Sequence, residues 1–320
     1  MKAILAYQFG SPEVLKLEDV EKPSAGPGQV LVQIKAAGIN PVDNYILTGT
    51  YARKPQLPYT PGMDGAGIVS AVGPDVKNFK IGDRVYAEDA ATGTFAEFSL
   101  VHQDRAHLLP ASLSFAQGAA LGVPYGTAHF ALVNRAKAQK GETVFIQGGS
   151  GGVGVAAIQL SKVLGLKIIA TAGTDKGLQL VRQLGADHAL NHKDPNYMNE
   201  LMNLTQNKGV DIILETAAHL NLGKDLTVLA VNGRVVIIGS KGPVEINPRD
   251  ILSRGAIVTG MSYFKTSLED NAAIHRSLAG YLAEGKINPI IGKEVPLKDA
   301  VQALQDIAAP GAHGKVVLIP

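Results

Sequence analysis

Apolar residues change their spacing once along this chain, near Pro124. Before that point they alternate with polar ones. Gln29-Val-Leu-Val-Gln-Ile-Lys35 follows the turn pair Pro27-Gly28 and predicts a half-buried strand. Residues 65–72 and 83–87 predict two more. Short strands with Gly and Pro between them point to a barrel-like β domain. After Pro124, short apolar runs and helical periods take turns. Strands are expected at 143–147, 167–171, 188–190, 210–214, 234–238 and 256–261. Helices are expected between most of them, such as the one carrying Leu180, Val181 and Leu184 and ending at Gly185. That alternation implies right-handed βαβ units and a parallel sheet covered on both faces. Six strands is the count of a full dinucleotide-binding fold. Beyond residue 265 a helical pattern from Ala272 to Glu284 leads to Lys315-Val-Val-Leu-Ile319, a closing strand. The tail is expected to return to the first domain, leaving a ligand cleft between the two.

The first of these βα units carries the most specific signal. Thr143-Val-Phe-Ile-Gln-Gly-Gly-Ser-Gly-Gly-Val-Gly154 is an apolar run, a glycine-dense turn and a helix start. Gly149-x-Gly151-x-x-Gly154 satisfies the dinucleotide pattern in its proper setting, since Ala156, Leu160, Val163 and Leu164 then recur at helical spacing. Glycines serve there because the turn needs positive φ, a pyrophosphate must approach bare backbone, and the helix must pack tightly on its strand. The helix N-terminus offers free N–H groups to phosphates. The bland alternative is an ordinary glycine-rich turn.

Composition narrows the class. A chain of 320 residues is long enough for two domains, and 46% hydrophobic against 18% charged residues supplies ample core. A net charge of +2, with Arg53-Lys54 as the densest basic cluster, argues against nucleic acid as the main partner. The absence of cysteine excludes disulfides, a thiol nucleophile and a thiolate zinc site, and fits a cytoplasmic protein. The N-terminal apolar run is too short for a signal peptide, and no run is long enough to span a membrane.

Taken together, the layout resembles that of the medium-chain dehydrogenases/reductases, and most of all the zinc-independent quinone oxidoreductases of the zeta-crystallin type. The resemblance covers nearly the whole chain. It rests on Ala37-Gly-Ile-Asn-Pro-Val-Asp43, Gly49-Thr-Tyr-Ala-Arg-Lys-Pro55, Leu57-Pro-Tyr-Thr-Pro-Gly62, the glycine loop, Ala172-Gly-Thr174, Gly239-Ser-Lys-Gly242 and Ile246-Asn-Pro-Arg-Asp250. It implies an α/β architecture. A GroES-like β-barrel catalytic domain would be formed by residues 1–123 and 265–320, and a Rossmann dinucleotide-binding domain with a six-stranded parallel sheet by 124–264. Where zinc-dependent relatives carry ligands, this chain reads Ile39-Asn40 and Met63-Asp64, and the structural-zinc lobe is replaced by a short loop from Glu88 to Phe95. Without a Lewis acid, simple alcohol oxidation loses its alkoxide stabiliser, whereas reduction of an activated quinone or enone remains feasible. The histidines do not restore a metal site. His188 and His192 fall on a strand and its end, where four residues span about 13 Å, and His102 and His107 read as polar loop or strand residues.

The end of the second strand bears on the cofactor. It runs into Ala172-Gly173-Thr174 with no carboxylate at its tip, which leaves room for a 2′-phosphate. Lys176 reads either as that phosphate's partner or as a solvated lysine, and Asp175 as an N-cap. The resemblance implies NADPH. By position it implies pyrophosphate contacts from Ser150, Gly151, Gly152 and Val153, and adenosine-side contacts from Gly173, Lys176 and His192. A loop histidine is the alternative for His192. Asn221 would touch the nucleotide, or cap a helix. Ile238, Gly239, Ser240 and Lys241, with Met261, Ser262 and Tyr263, would lie near the nicotinamide. Lys315 reads as a phosphate contact or, more simply, a solvated lysine. Asn40 and Tyr45 are the candidate catalytic residues, Asn40 for the ring carboxamide and Tyr45 for cofactor and substrate. Tyr51 and Tyr59 are pocket or packing residues, and Asp43 a cap or pocket polar group with no role in proton transfer. Quinone reduction is the leading reading. The alternatives are enone or enoyl-thioester reduction, with Arg53-Lys54 as a basic mouth, and a non-enzymatic structural or RNA-binding role. The sixth strand of the parallel sheet, at 256–260, would leave an apolar sheet edge, and the resemblance implies that it pairs across a two-fold axis, so a homodimer or homotetramer is expected.

Overall fold

The computed structural model describes residues 1–320. The amino-terminal part is β-rich. β1 (Lys2–Ala6) and β2 (Leu15–Asp19) form an antiparallel pair. β3 (Gln29–Gly38) is followed by α1 (Pro41–Leu47), then β4 (Asp64–Val72), β5 (Arg84–Ala87), β6 (Phe98–His102) and β7 (Ala106–Leu108). β3 is the hub: it pairs antiparallel with β4 and with β6. Its even positions Val30, Val32 and Ile34 face a core shared with Ile4, Val69, Val85, Phe95 and Val101, as alternation predicts for a strand with one buried face.

After α2 (Phe115–Gly118) and α3 (Gly122–His129) the pattern switches to β8 (Thr143–Ile146), α4 (Gly152–Val163), β9 (Lys167–Ala172), α5 (Asp175–Gln183), β10 (His188–Asn191), α6 (Tyr197–Leu204), β11 (Val210–Glu215), α7 (Ala218–Asp225), β12 (Leu229–Ile237), α8 (Pro248–Leu252) and β13 (Ile257–Gly260). The six strands form one parallel sheet in the order β10-β9-β8-β11-β12-β13. The order reverses between β8 and β11, and open α/β sheets bind ligands at such a switch point. All six strands were expected, at nearly these bounds. β12 begins five residues early because Asn232, at φ +61°, bends the strand so that Leu229 still pairs with Val210.

The tail returns to the barrel, as expected. α9 (Leu268–Ala283) precedes β14 (Ile291–Pro296), α10 (Ala300–Ala308) and β15 (Lys315–Ile319), and β15 pairs with β3. α9 starts four residues before the apolar period suggests, because Ser267 accepts a hydrogen bond from the Asp270 N–H and caps it. β14 and α10 were not anticipated. β14 has only Val295 buried, so it carries almost no alternation.

A buried polar cluster ties α9 to both halves. His275 sits between the Tyr86 hydroxyl (2.9 Å) and the Tyr263 hydroxyl (2.8 Å). Asn271 donates to Glu88 at 2.6 Å, and Arg105 pairs with the same carboxylate at 3.1 Å. Burial is the largest single influence on Glu88 and opposes its ionisation, but the hydrogen bonds and charges of the surrounding His275, His107 and Tyr263 together outweigh it and hold the carboxyl at about 2. His107 stacks on His275 with ring centroids 3.6 Å apart. It is therefore not a plain polar strand residue. Glu88, His107 and His275 bring one ligand atom each within 4.8 Å of one another. Stacked rings aim their nitrogens along parallel planes rather than at one point, and both His275 nitrogens already face tyrosines. The cluster is organised as a hydrogen-bond network.

Candidate active site

Because the sheet is parallel, every strand of it ends on the same edge, and the candidate cofactor residues collect there. The glycine loop leaves β8 with positive φ at Gly148 (+74°), one residue before the fingerprint, while Gly151 has ordinary extended backbone. Gly154 serves close packing: a Cβ there would lie 2.2 Å from the Gly148 carbonyl oxygen. A Cβ on Gly151, in contrast, would meet nothing nearer than 3.6 Å. No side chain caps α4. Its first-turn N–H groups are left for an anion, which fits a pyrophosphate over Ser150, Gly151, Gly152 and Val153.

At the end of β9, Gly173 touches His192: a Cβ on it would lie 2.6 Å from Nε2. His192 Nδ1 is 3.4 Å from the Thr171 hydroxyl, and burial beside Lys193 lowers its pKa. The N-cap of α5 is Thr174, whose hydroxyl accepts from the Gly177 N–H at 3.1 Å, so Asp175 is not the cap. Lys176 is exposed on the first turn. Asn221 stands inside α7 rather than at its cap, and donates to buried Glu215 at 3.4 Å. Ile238 and Gly239 are bound through their N–H groups to the Glu215 carbonyl, and exposed Ser240 and Lys241 follow. Met261 and Ser262 lie half-buried beyond β13. Tyr263 differs from expectation. Its ring packs over Gly126 and its hydroxyl is buried against His275 and Asn271, so only its backbone remains for a ligand.

In the β-rich part, α1 starts at Asn40. Asp43 accepts from the Asn40 N–H at 2.7 Å, a capping box, so its cap reading holds. The Asn40 side chain is 3% exposed and already engaged: Nδ2 donates to Asp64 at 2.8 Å and Oδ1 accepts from Lys315. Lys315 is neither solvated nor free for phosphate. It is 4% exposed and its Nζ lies 3.1 Å from Asp64. Asp64 also accepts from the Val123 N–H at 2.8 Å. Burial pushes its carboxyl pKa up and Lys315 pulls it down, with burial prevailing. An ammonium thus stands between Asn40 and Asp64. An amide and one carboxylate that already hold a cation do not fit a second one.

Tyr45 is half-buried on α1, and Tyr51 packs against the Ile46, Met63 and Val123 cluster. Tyr59 lines a cavity of about 450 Å³ together with Asp43, Ile46, Met63, Arg53 and Thr92. Asp43 Oδ1 and the Tyr59 hydroxyl are buried there without partners. Burial raises Asp43 to about 7. Arg53 pairs with Asp89, which leaves Lys54 as the free charge of the supposed basic mouth.

Known proteins share this fold. Residues 26–111 match the alcohol dehydrogenase GroES-like domain and residues 152–277 the zinc-binding dehydrogenase family. The chain is 45% identical to a quinone oxidoreductase of Sus scrofa over all of its own length and 98% of the relative's. Among solved structures, Escherichia coli quinone oxidoreductase complexed with NADPH superposes with TM-score 0.91 at 30% identity, covering both chains fully. An NAD-dependent alcohol dehydrogenase superposes with TM-score 0.92 at 30% identity, also over the full length of both.

Proposed function

Since the chain belongs to the quinone oxidoreductases of the zeta-crystallin type, within the medium-chain dehydrogenases/reductases, we propose that it is an oxidoreductase that reduces quinones with NADPH. The observation that carries this reading is the open glycine loop at the switch point, with the stem of buried Lys315 beside its Gly152. NADPH supplies a hydride when bound. The protein's part is positioning and exclusion of water. Ser150, Gly151, Gly152 and Val153 offer backbone to the pyrophosphate. Gly173, Lys176 and His192 serve the adenosine side, with the β9 tip free of carboxylate for a 2′-phosphate. Asn221 and the segments Ile238–Lys241 and Met261–Tyr263 line the strand ends, Tyr263 through its backbone.

Asn40, fixed by Asp64 and Lys315, keeps one amide hydrogen to orient the ring carboxamide. Tyr45 offers a half-exposed ring and hydroxyl to cofactor and acceptor. The cavity beside Tyr59, with prolines and Met63 as walls and two unpartnered polar atoms, suits a flat carbonyl acceptor. The exposed β13 edge supports a homodimer or a dimer of dimers, with Ile257 59% exposed. No helix is long and apolar enough to cross a membrane, and a cysteine-free chain of this family fits the cytoplasm.

The test follows loss of the reduced nicotinamide absorbance with ortho-quinones, para-quinones and enoyl thioesters. Fast quinone-dependent NADPH oxidation, with NADH much slower, is expected. Turnover of enoyl thioesters alone would transfer the assignment to that acceptor class, and NADPH binding without any turnover would favour a non-enzymatic role.

A further inference from the structure

Beneath the glycine loop runs a line of buried polar side chains that the proposed chemistry does not use. It begins at His192, whose Nδ1 is 3.4 Å from the Thr171 hydroxyl. That hydroxyl accepts the Gly148 N–H at 3.0 Å and donates to Gln147 Oε1 at 3.3 Å. Gln147 Nε2 donates to Asp225 Oδ1 at 3.1 Å. Asp225 adjoins Glu215, and Glu215 Oε1 accepts from Asn221 and from the Ala217 N–H. Thr171, Glu215 and Asp225 are fully buried and Gln147 nearly so. The two ends of this line, His192 and Asn221, are both cofactor candidates.

One link lacks a donor. Glu215 Oε2 and Asp225 Oδ2 are buried with no hydrogen-bond partner, while the two carboxyls are hydrogen-bonding neighbours. Neither oxygen has an N–H or cation to satisfy it. A proton on one of them makes an O–H···O⁻ bond and removes one buried charge; two carboxylates side by side would repel.

We propose that Glu215 and Asp225 share one proton, and that this pair is the positioning element that sets Gln147, the glycine loop and Asn221 for the nucleotide. The inference rests on the glycine loop being the NADPH site. Burial and the facing Glu215 raise Asp225 to about 9, and burial raises Glu215. The other groups facing the pair are His219 and Lys224 on α7, which favour its charge, and Tyr197 on α6. The pair's value is raised on folding. Its contribution is therefore largest in acid, declines as pH rises, and is gone once pH passes about 9.

The experiment titrates NADPH by its fluorescence, and records melting midpoints without ligand, from pH 7 to 10. Wild type is compared with Asp225→Asn and Asp225→Ala. In wild type the dissociation constant should rise about tenfold over that range, the size of one lost buried hydrogen bond, and the midpoint should fall. Asp225→Asn carries a permanent N–H toward Glu215 and a carbonyl toward Gln147. It should bind at pH 7 like wild type and lose the pH dependence of both readouts. Asp225→Ala should bind weakly at every pH. Parallel pH profiles in wild type and Asp225→Asn would overturn the proposal. Absence of NADPH binding by wild type at pH 7 would overturn the functional reading instead, and the melting profiles alone would then decide whether the proton is shared.

Discussion

Replacing Lys315 with methionine isolates one charge. The stem of Lys315 packs beside Gly38 and Gly152, and a thioether of similar length keeps that contact. What disappears is the ammonium between Asn40 and Asp64. Breaking a buried pair by removing one partner costs about 3–5 kcal/mol. Asp64 retains two donors at 2.8 Å, the Asn40 amide and the Val123 N–H. The loss should therefore fall at the low end, about 3 kcal/mol. Under urea, with a slope on the order of 3 kcal/mol per M, Lys315→Met should lower the unfolding midpoint by about 1 M. Asp64→Asn in the same background removes the stranded carboxylate and should restore most of that loss. The double-mutant cycle then reports a coupling of about 2 kcal/mol or more between two touching residues. Additive single effects, or a Lys315→Met midpoint equal to wild type, would mean that the ammonium does not compensate Asp64.

The two glycines of the loop should separate binding from folding. Gly151→Val has room in the fold but places a side chain where the pyrophosphate must approach, so NADPH binding should vanish in a titration while the melting midpoint stays. Gly154→Val drives a Cβ into the Gly148 carbonyl and should destabilise the protein by about 1–3 kcal/mol, seen as a lower midpoint even without ligand. Lys176→Ala should weaken NADPH binding about two- to fivefold, as expected of one exposed ion pair to a phosphate, and leave NADH unchanged; equal effects on both cofactors would remove Lys176 from the 2′-phosphate site. If β13 pairs with a second copy, Ile257→Lys should lower the mass seen by light scattering at unchanged circular dichroism, and an unchanged mass would exclude that edge as the contact.

Order along the chain was enough for the six-stranded parallel sheet, though not for β14 and α10, and the physical reason is that its signals are local. A strand buried on both faces reads as Val144-Phe-Ile146 whatever surrounds it. A helix ends at Gly185 because only glycine takes φ +99° without strain. The glycine loop, the missing carboxylate after β9 and the absent metal ligands at Asn40, Met63 and Asp64 are likewise contiguous patterns. Charges behave differently, since their state depends on partners brought from far away. Lys315 reads as a solvated tail lysine until β15 pairs with β3 and carries it 275 positions back to Asn40. His107 and His275 have no common sequence signal, and they meet only because α9 crosses the barrel. Glu215 and Asp225 look like a strand end and a helix acid, ten residues apart; α7 folds back so that both are buried, Asp225 against Gln147. Tyr263 follows β13 as a site residue should, but the room left by Gly126 draws its ring inward. Periodicity reports which face of an element meets the core. Which polar groups are sealed beneath that face, and with which counter-charge, depends on contacts between distant segments.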